Sequence, residues 1–157
     1  MSIFVTGDCH ADVSRFSKEC FYEQKDFSGN KDENFVIICG DFGLVWQRDN
    51  ESKSEKYWLD WLENKPFTTL FVDGNHSNHK RIATYPVKEW HGGMVHEIRP
   101  HVLHMMRGEI FNIQIKNSLH SAVQVLTIFQ MVFLIITMRI GERKPRNWKQ
   151  VVNGCTV

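Results

Sequence analysis

Phe35-Val36-Ile37-Ile38-Cys39-Gly40-Asp41 (residues 35–41) is an apolar run that stops on a glycine and a carboxylate. Without polar alternation and rich in β-branched residues, it describes a central strand covered on both faces, as in a parallel sheet. Two similar endings flank it in sequence. Ile3-Phe4-Val5 leads into Gly7-Asp8-Cys9-His10, and Leu70-Phe71-Val72 leads into Asp73-Gly74-Asn75-His76. In an open α/β sheet the carboxyl ends of neighbouring strands share one crevice, so this order predicts that Asp8, His10, Asp41, Asn75 and His76 converge. Oxygen and imidazole donors in that mixture suit manganese, iron or zinc better than calcium.

Each block has its own geometric logic. Asp8 and His10 are two residues apart on an extended segment, so their side chains point the same way and one ion can take both. Gly7 is expected to permit the turn that presents them. A carboxylate such as Asp41 can bridge two cations about 3.5–4 Å apart, although Gly-Asp on its own is more often a turn or a helix cap. Asn75 offers a neutral carbonyl oxygen, and His76 can donate a proton or hydrogen bond. Asp73 is a candidate to orient that imidazole, with no spacing argument to assign it.

Between the blocks the sequence predicts crossing helices and loops. Asp12-Val13-Ser14 opens an expected helix with Phe16, Cys20 and Phe21 on one face. Residues 26–34 read as an exposed loop, and residues 49–56 as a polar loop into a helix carrying Tyr57, Trp58, Trp61 and Leu62 at core-facing spacing. Lys65-Pro66 ends that helix. Strands are expected at 2–6, 35–39 and 67–72. Beyond them, pieces at 94–98, 102–106 and 109–113 read as a meander at the edge of a second sheet. The spacing of His91, His96, His101 and His104 forms no metal motif, so these read as structural or surface residues.

The chain of 157 residues is 42% hydrophobic and 24% charged with a net charge of +1, which describes one ordinary globular domain. Such a balance gives no electrostatic reason to favour nucleic acid or an anionic membrane. Cys9, Cys20, Cys39 and Cys155 lack the close pairings of a zinc or redox motif, and a reducing cytoplasm is the expected compartment. Cys9 and Cys39 read as buried thiols. The opening Met1-Ser2-Ile3-Phe4-Val5-Thr6 has no charged segment before its apolar residues, so no secretory leader is expected.

The order Asp-x-His, Gly-Asp, Gly-Asn-His, at intervals of about thirty residues, resembles the N-terminal half of the calcineurin-like metallophosphoesterases. The likeness covers residues 1–113. It implies an α/β fold, half of a two-sheet α/β/β/α sandwich, and two divalent metal ions that hydrolyse phosphomonoesters or phosphodiesters through a metal-bridging hydroxide. Asp8 and His10 would be ligands of one metal, Asp41 the bridging ligand, Asn75 a ligand of the second metal, and His76 the catalytic residue assisting the leaving group. Where that family usually has an acidic residue after Gly-Asn-His, this chain has Ser77.

Residues 114–157 change character. Residues 122–138 are strongly apolar and are followed by Arg139, Arg143, Lys144 and Arg146. At seventeen residues this is the bottom of the membrane-spanning range. A frameshift accounts for it better than a membrane anchor. Reading the permitted codons of residues 116–138 shifted by one base allows K-F-F-T-F-G-G-A-S-S-H-D-I-S-D-G-I-L-D-Y-H-D, which resembles what such a phosphoesterase would carry next. The family's later histidine ligands, including a Gly-His-x-His block, are absent from this sequence. Two consequences are expected: an incomplete second metal site, and an apolar sheet face left uncovered. A phosphoesterase acting on a substrate of undefined class is therefore weighed against an inactive truncated product or a non-catalytic metal-binding protein.

Overall fold

The computed structural model describes residues 2–27 and 29–113, so residues 114–157, with the apolar stretch and the frameshift reading, lie outside the described residues. Six strands form one sheet: β1 (Ser2–Thr6), β2 (Asn34–Cys39), β3 (Thr68–Val72), β4 (Val87–Trp90), β5 (Gly93–Arg99) and β6 (Val102–Met105). The order is β1-β2-β3-β6-β5-β4. β1, β2, β3 and β6 run parallel, whereas β5 is antiparallel to β6 and to β4.

The mixed α/β architecture is the one expected for the N-terminal half of such a sandwich, with one correction. The meander does not start a second sheet among the described residues. β6 lies parallel beside β3, with Leu70 opposite Leu103 and Phe71 opposite His104, so the hairpin extends the first sheet. Residues 109–113 form no strand. β4 and β5 are joined by His91-Gly92, both left-handed (φ 48° and 86°), the geometry that matches the twist of a tight hairpin.

All of β2 is buried, because alternate side chains serve two cores. Val36 and Ile38 pack with Phe16, Leu59, Leu62, Phe67, Phe71 and Ile82 on one face. Phe35, Ile37 and Cys39 pack with Leu70, Val95 and Leu103 on the other, where Trp90 and Phe111 lie against them. The apolar face expected to be uncovered is closed at these residues: Ile37, Leu70, Val95 and Leu103 have no exposure.

The segment after Asp12 also departs from expectation. In place of an α-helix it makes two 3-10 turns, Ser14–Phe16 and Tyr22–Asp26. Asp12 Oδ1 accepts hydrogen bonds from Ser14 N–H (3.1 Å) and Ser14 Oγ (2.6 Å), a local closure that competes with helix extension. Ser17 is then extended, with φ −66° and ψ 161°. Phe16 and Phe21 still face the core.

Helix α1 (Lys53–Glu63) starts earlier than the sequence suggested because Ser52 and Glu55 form a capping box. Leu59 and Leu62 are buried, Trp58 and Trp61 pack against the core, and Tyr57 faces outward. Glu55 does more than cap. Its Oε1 accepts hydrogen bonds from Trp46 N–H (2.7 Å) and Gln47 N–H (2.9 Å), and its Oε2 accepts from Ser52 N–H (2.8 Å). Arg81, from helix α2 (His79–Ile82), donates to both carboxylate oxygens at 3.0 Å. Burial alone would raise the Glu55 pKa, but the three backbone donors and Arg81 outweigh it and hold the carboxyl below the usual range. The stability it contributes is therefore complete above the ordinary glutamate value and is lost as pH falls through the lower folded-state value.

Removing one partner of this buried pair should be costly. Glu55→Ala leaves the Arg81 charge buried without its carboxylate, and urea unfolding is expected to show a loss of about 3 kcal/mol or more. Unfolding within about 0.5 kcal/mol of wild type would mean that the pair does not hold the loop.

Candidate metal centre

The parallel register puts the ends of β1, β2 and β3 on one edge of the sheet: Thr6 stands beside Ile38, and Cys39 beside Val72. Asp8, His10 and Asp41 come together there, with ligand atoms within 4.8 Å of one another. His10 Nε2 is 3.7 Å from Asp8 Oδ2 and 4.0 Å from Asp41 Oδ2. Two donors on one ion, each at about 2.0–2.2 Å, stand no more than about 4.4 Å apart, and the two separations from His10 fall inside that limit. The donor set fits a transition metal as well.

Asp41 is the best fixed of the three. Its side chain is 2% exposed, and Oδ1 accepts the His76 N–H at 2.9 Å. Its backbone carbonyl accepts from the N–H groups of Cys9 (3.2 Å) and His10 (2.8 Å). A buried carboxylate costs several kcal/mol of desolvation unless hydrogen bonds and a cation offset it.

The glycines explain why the chain can close so tightly, though not all in the way expected. Gly40 has φ 115°, and a Cβ there would stand 2.2 Å from Asp8 Oδ1. A Cβ on Gly74 would stand 2.0 Å from Asp41 Oδ1 and 2.5 Å from its backbone nitrogen. Gly7 is different: a Cβ there would meet nothing within 4 Å, and its φ is not left-handed. The turn expected of Gly7 is made instead by His10 (φ 47°) and Ala11 (φ 66°). Left-handed backbone is disfavoured for residues with a Cβ and is kept only where surrounding bonds demand it. Here Ala11 N–H donates to Phe42 O at 3.0 Å.

His76 and His10 face each other, with ring centroids 6.0 Å apart. Both line a cleft of about 550 Å³ whose other lining residues include Asp41, Gln47, Glu55, Trp46 and Trp58. Asn75 is exposed, between Gly74 against Asp41 and His76 bonded to it. Ser77 Oγ accepts the Gly74 N–H at 2.9 Å and closes this loop.

Asp73 turns away from His76. Its oxygens meet His79 Nδ1 (2.8 Å), Arg107 (2.6 Å) and His104 Nε2 (3.4 Å). Burial would raise its pKa, but His104 and Arg107 outweigh that and hold the carboxyl well below the usual range. His104 and His96 are buried with their Nδ1 atoms 3.1 Å apart, and His101 Nδ1 meets Glu63 at 2.6 Å, so these histidines are structural. Cys9 and Cys39 are buried thiols, as expected. Burial, opposed by Arg15 and reinforced by Asp12 and Asp8, pushes Cys9 up to about 11; burial and Asp8 push Cys39 up to about 12.

Sequence reasoning passed over Glu55, Asn78 and Arg81. Asn78 Nδ2 donates to the carbonyls of Trp46 (3.2 Å) and Gln47 (2.9 Å), completing the hold on the cleft wall. A signal was present: Ser52-Lys53-Ser54-Glu55 has the Ser-x-x-Glu form of a capping box.

Among known proteins, a family model described as calcineurin-like phosphoesterase matches residues 1–137. No curated protein and no solved structure matches the chain. Among the described residues no helix is long and apolar enough to cross a membrane.

The glycine contacts give a test that separates the motif positions. Gly74→Ala and Gly40→Ala are expected to weaken manganese binding about tenfold or more by calorimetric titration, because each forces a carboxylate out of place. Gly7→Ala is expected to stay within about twofold. Equal effects at all three positions would contradict the assigned geometry.

Proposed function

This chain belongs to the calcineurin-like phosphoesterase family, and on that premise we propose that it is a metal-dependent phosphoesterase whose centre is built on Asp8, His10 and Asp41. The observation that carries the reading is the convergence of these side chains in a cleft shared with His76. Asp8, His10 and Asp41 would hold the first divalent ion, with Asp41 and Asn75 offered to a second. Manganese, iron or zinc suits these donors. Such ions, when bound, stabilise charge on phosphoryl oxygens and make water a nucleophile near neutral pH.

The chain's own groups do the positioning. The His76 N–H holds Asp41 Oδ1 while Oδ2 faces His10, which fixes the carboxylate plane across the cleft. The His76 imidazole, on the residue whose N–H anchors Asp41, would give a proton to the leaving oxygen. That aid matters more for a poor leaving group than for a good one.

One observation favours a second reading, a non-catalytic metal-binding protein. Among the described residues the clustered Asp, Glu, His and Cys donors are Asp8, His10 and Asp41, which serve one ion better than two.

The two readings separate in a hydrolysis assay. With manganese, the protein is expected to cleave p-nitrophenyl phosphate or bis(p-nitrophenyl) phosphate, and Asp41→Asn to abolish the activity. His76→Ala should lower kcat about 100-fold on phenyl phosphate, with a smaller loss on the p-nitrophenyl ester. Folded protein that binds manganese but hydrolyses neither ester would establish the non-catalytic reading.

A further inference from the structure

We propose that the part of the cleft beyond Asp41 and His76 is a subsite for a flat aromatic group carried by the phosphoester, with the Trp46 indole as its stacking face. This rests on the phosphoesterase reading and adds the substrate class to it.

The first observation is space. A cleft of about 550 Å³ is far larger than a phosphoryl group requires, and it runs from His10, Asp41 and His76 to Trp46 and Trp58. Clefts of that size hold organic ligands rather than bare anions.

The second is the contrast between the Trp46 backbone and its side chain. The backbone is held at both ends of the residue: its N–H donates to Glu55 Oε1 at 2.7 Å, and its carbonyl accepts from Asn78 Nδ2 at 3.2 Å. Glu55 is itself fixed by the buried Arg81 guanidinium. On the metal side the same loop is locked to the His10-Ala11 turn, since a Cβ on Gly43 would stand 2.3 Å from Ala11 N. Yet Trp46 as a residue is 53% exposed, while Phe42 earlier in the loop is 1% exposed. A large exposed side chain on a loop whose backbone is already held, in the same cleft as the candidate metal ligands, has only its own rotamers to order on stacking.

The third is chemistry. Gln47, Ser52 and Ser54 line the same cleft as Trp46 and bring polar groups beside it. A planar ring with polar edges meets both, whereas an alkyl chain uses neither. An aryl ring and a nucleobase share this chemistry.

The test uses phosphonates, which resist hydrolysis, so binding is read apart from turnover. Methylphosphonate, phenylphosphonate and a nucleoside 5′-phosphonate are titrated into the manganese-loaded full chain by calorimetry. The two aromatic ligands are expected to bind about tenfold or more tighter than methylphosphonate, the range of base–aromatic stacking. Trp46→Ala should bring that ratio close to one, and Trp46→Phe should keep most of it. The exposed indole can be removed without emptying the core, and an unchanged unfolding midpoint checks this. A further gain for the nucleoside ligand points to a nucleobase, and equal affinity of the aromatic ligands to a simple aryl ester.

A ratio near one in the wild-type protein, a ratio unchanged in Trp46→Ala, or no phosphonate binding at all overturns the subsite. Aromatic preference without hydrolysis would sink the catalytic reading and leave the subsite standing. Hydrolysis without aromatic preference would do the reverse.

Discussion

Asp41 is where three segments distant in sequence are tied into one site. Its carbonyl receives the N–H groups that follow Asp8, and its carboxylate receives the N–H of His76. A side chain with 2% exposure has given up most of its hydration, a loss that these bonds offset in part and a bound cation would offset further. Gly40 and Gly74 are glycines because the Asp8 and Asp41 carboxylates occupy the space a Cβ would need. The left-handed turn at His10 and Ala11 follows from the same closure. Backbone conformation, glycine placement and the clustering of the candidate ligands are thus consequences of one arrangement.

A second carboxylate, Glu55, organises the cleft wall. It caps α1, holds the backbone of Trp46 and Gln47, and pairs with Arg81 on α2. Helix start, loop shape and the stance of Trp46 therefore depend on one buried ion pair. The candidate metal ligands sit at the strand ends, and Trp46, the proposed stacking face, sits on a loop held by Glu55 of α1 and by Asn78. Changes to the wall can alter selectivity while leaving the metal ligands in place.

The strands that carry the site were legible because their apolar runs are long and their endings carry glycine beside chemistry-bearing residues. The bounds of β1 and β2 follow the sequence closely. The segment after Asp12 was misread because the spacing of Phe16 and Phe21 satisfies a helical face, whereas the Asp12 side chain closes a local turn that spacing does not reveal. The hairpin was correctly seen as β-structure and wrongly given its own sheet: parallel pairing of β6 with β3 is a long-range choice made by packing on both faces. Asp73 looked like a partner for His76 by proximity in sequence. In the fold, His104 on the neighbouring strand β6 and Arg107 just after it claim it. Glu55 was hidden in a polar stretch, where a buried carboxylate leaves no hydropathy signal.

The most direct measurement is equilibrium dialysis of the protein against manganese, beside the Asp8→Asn and His10→Ala double variant, with circular dichroism to show that both are folded. The account predicts one tightly held ion per wild-type chain and its loss from the variant. Equal binding by the two folded proteins would mean that the strand-end residues do not form the metal centre, and would contradict the account at its base.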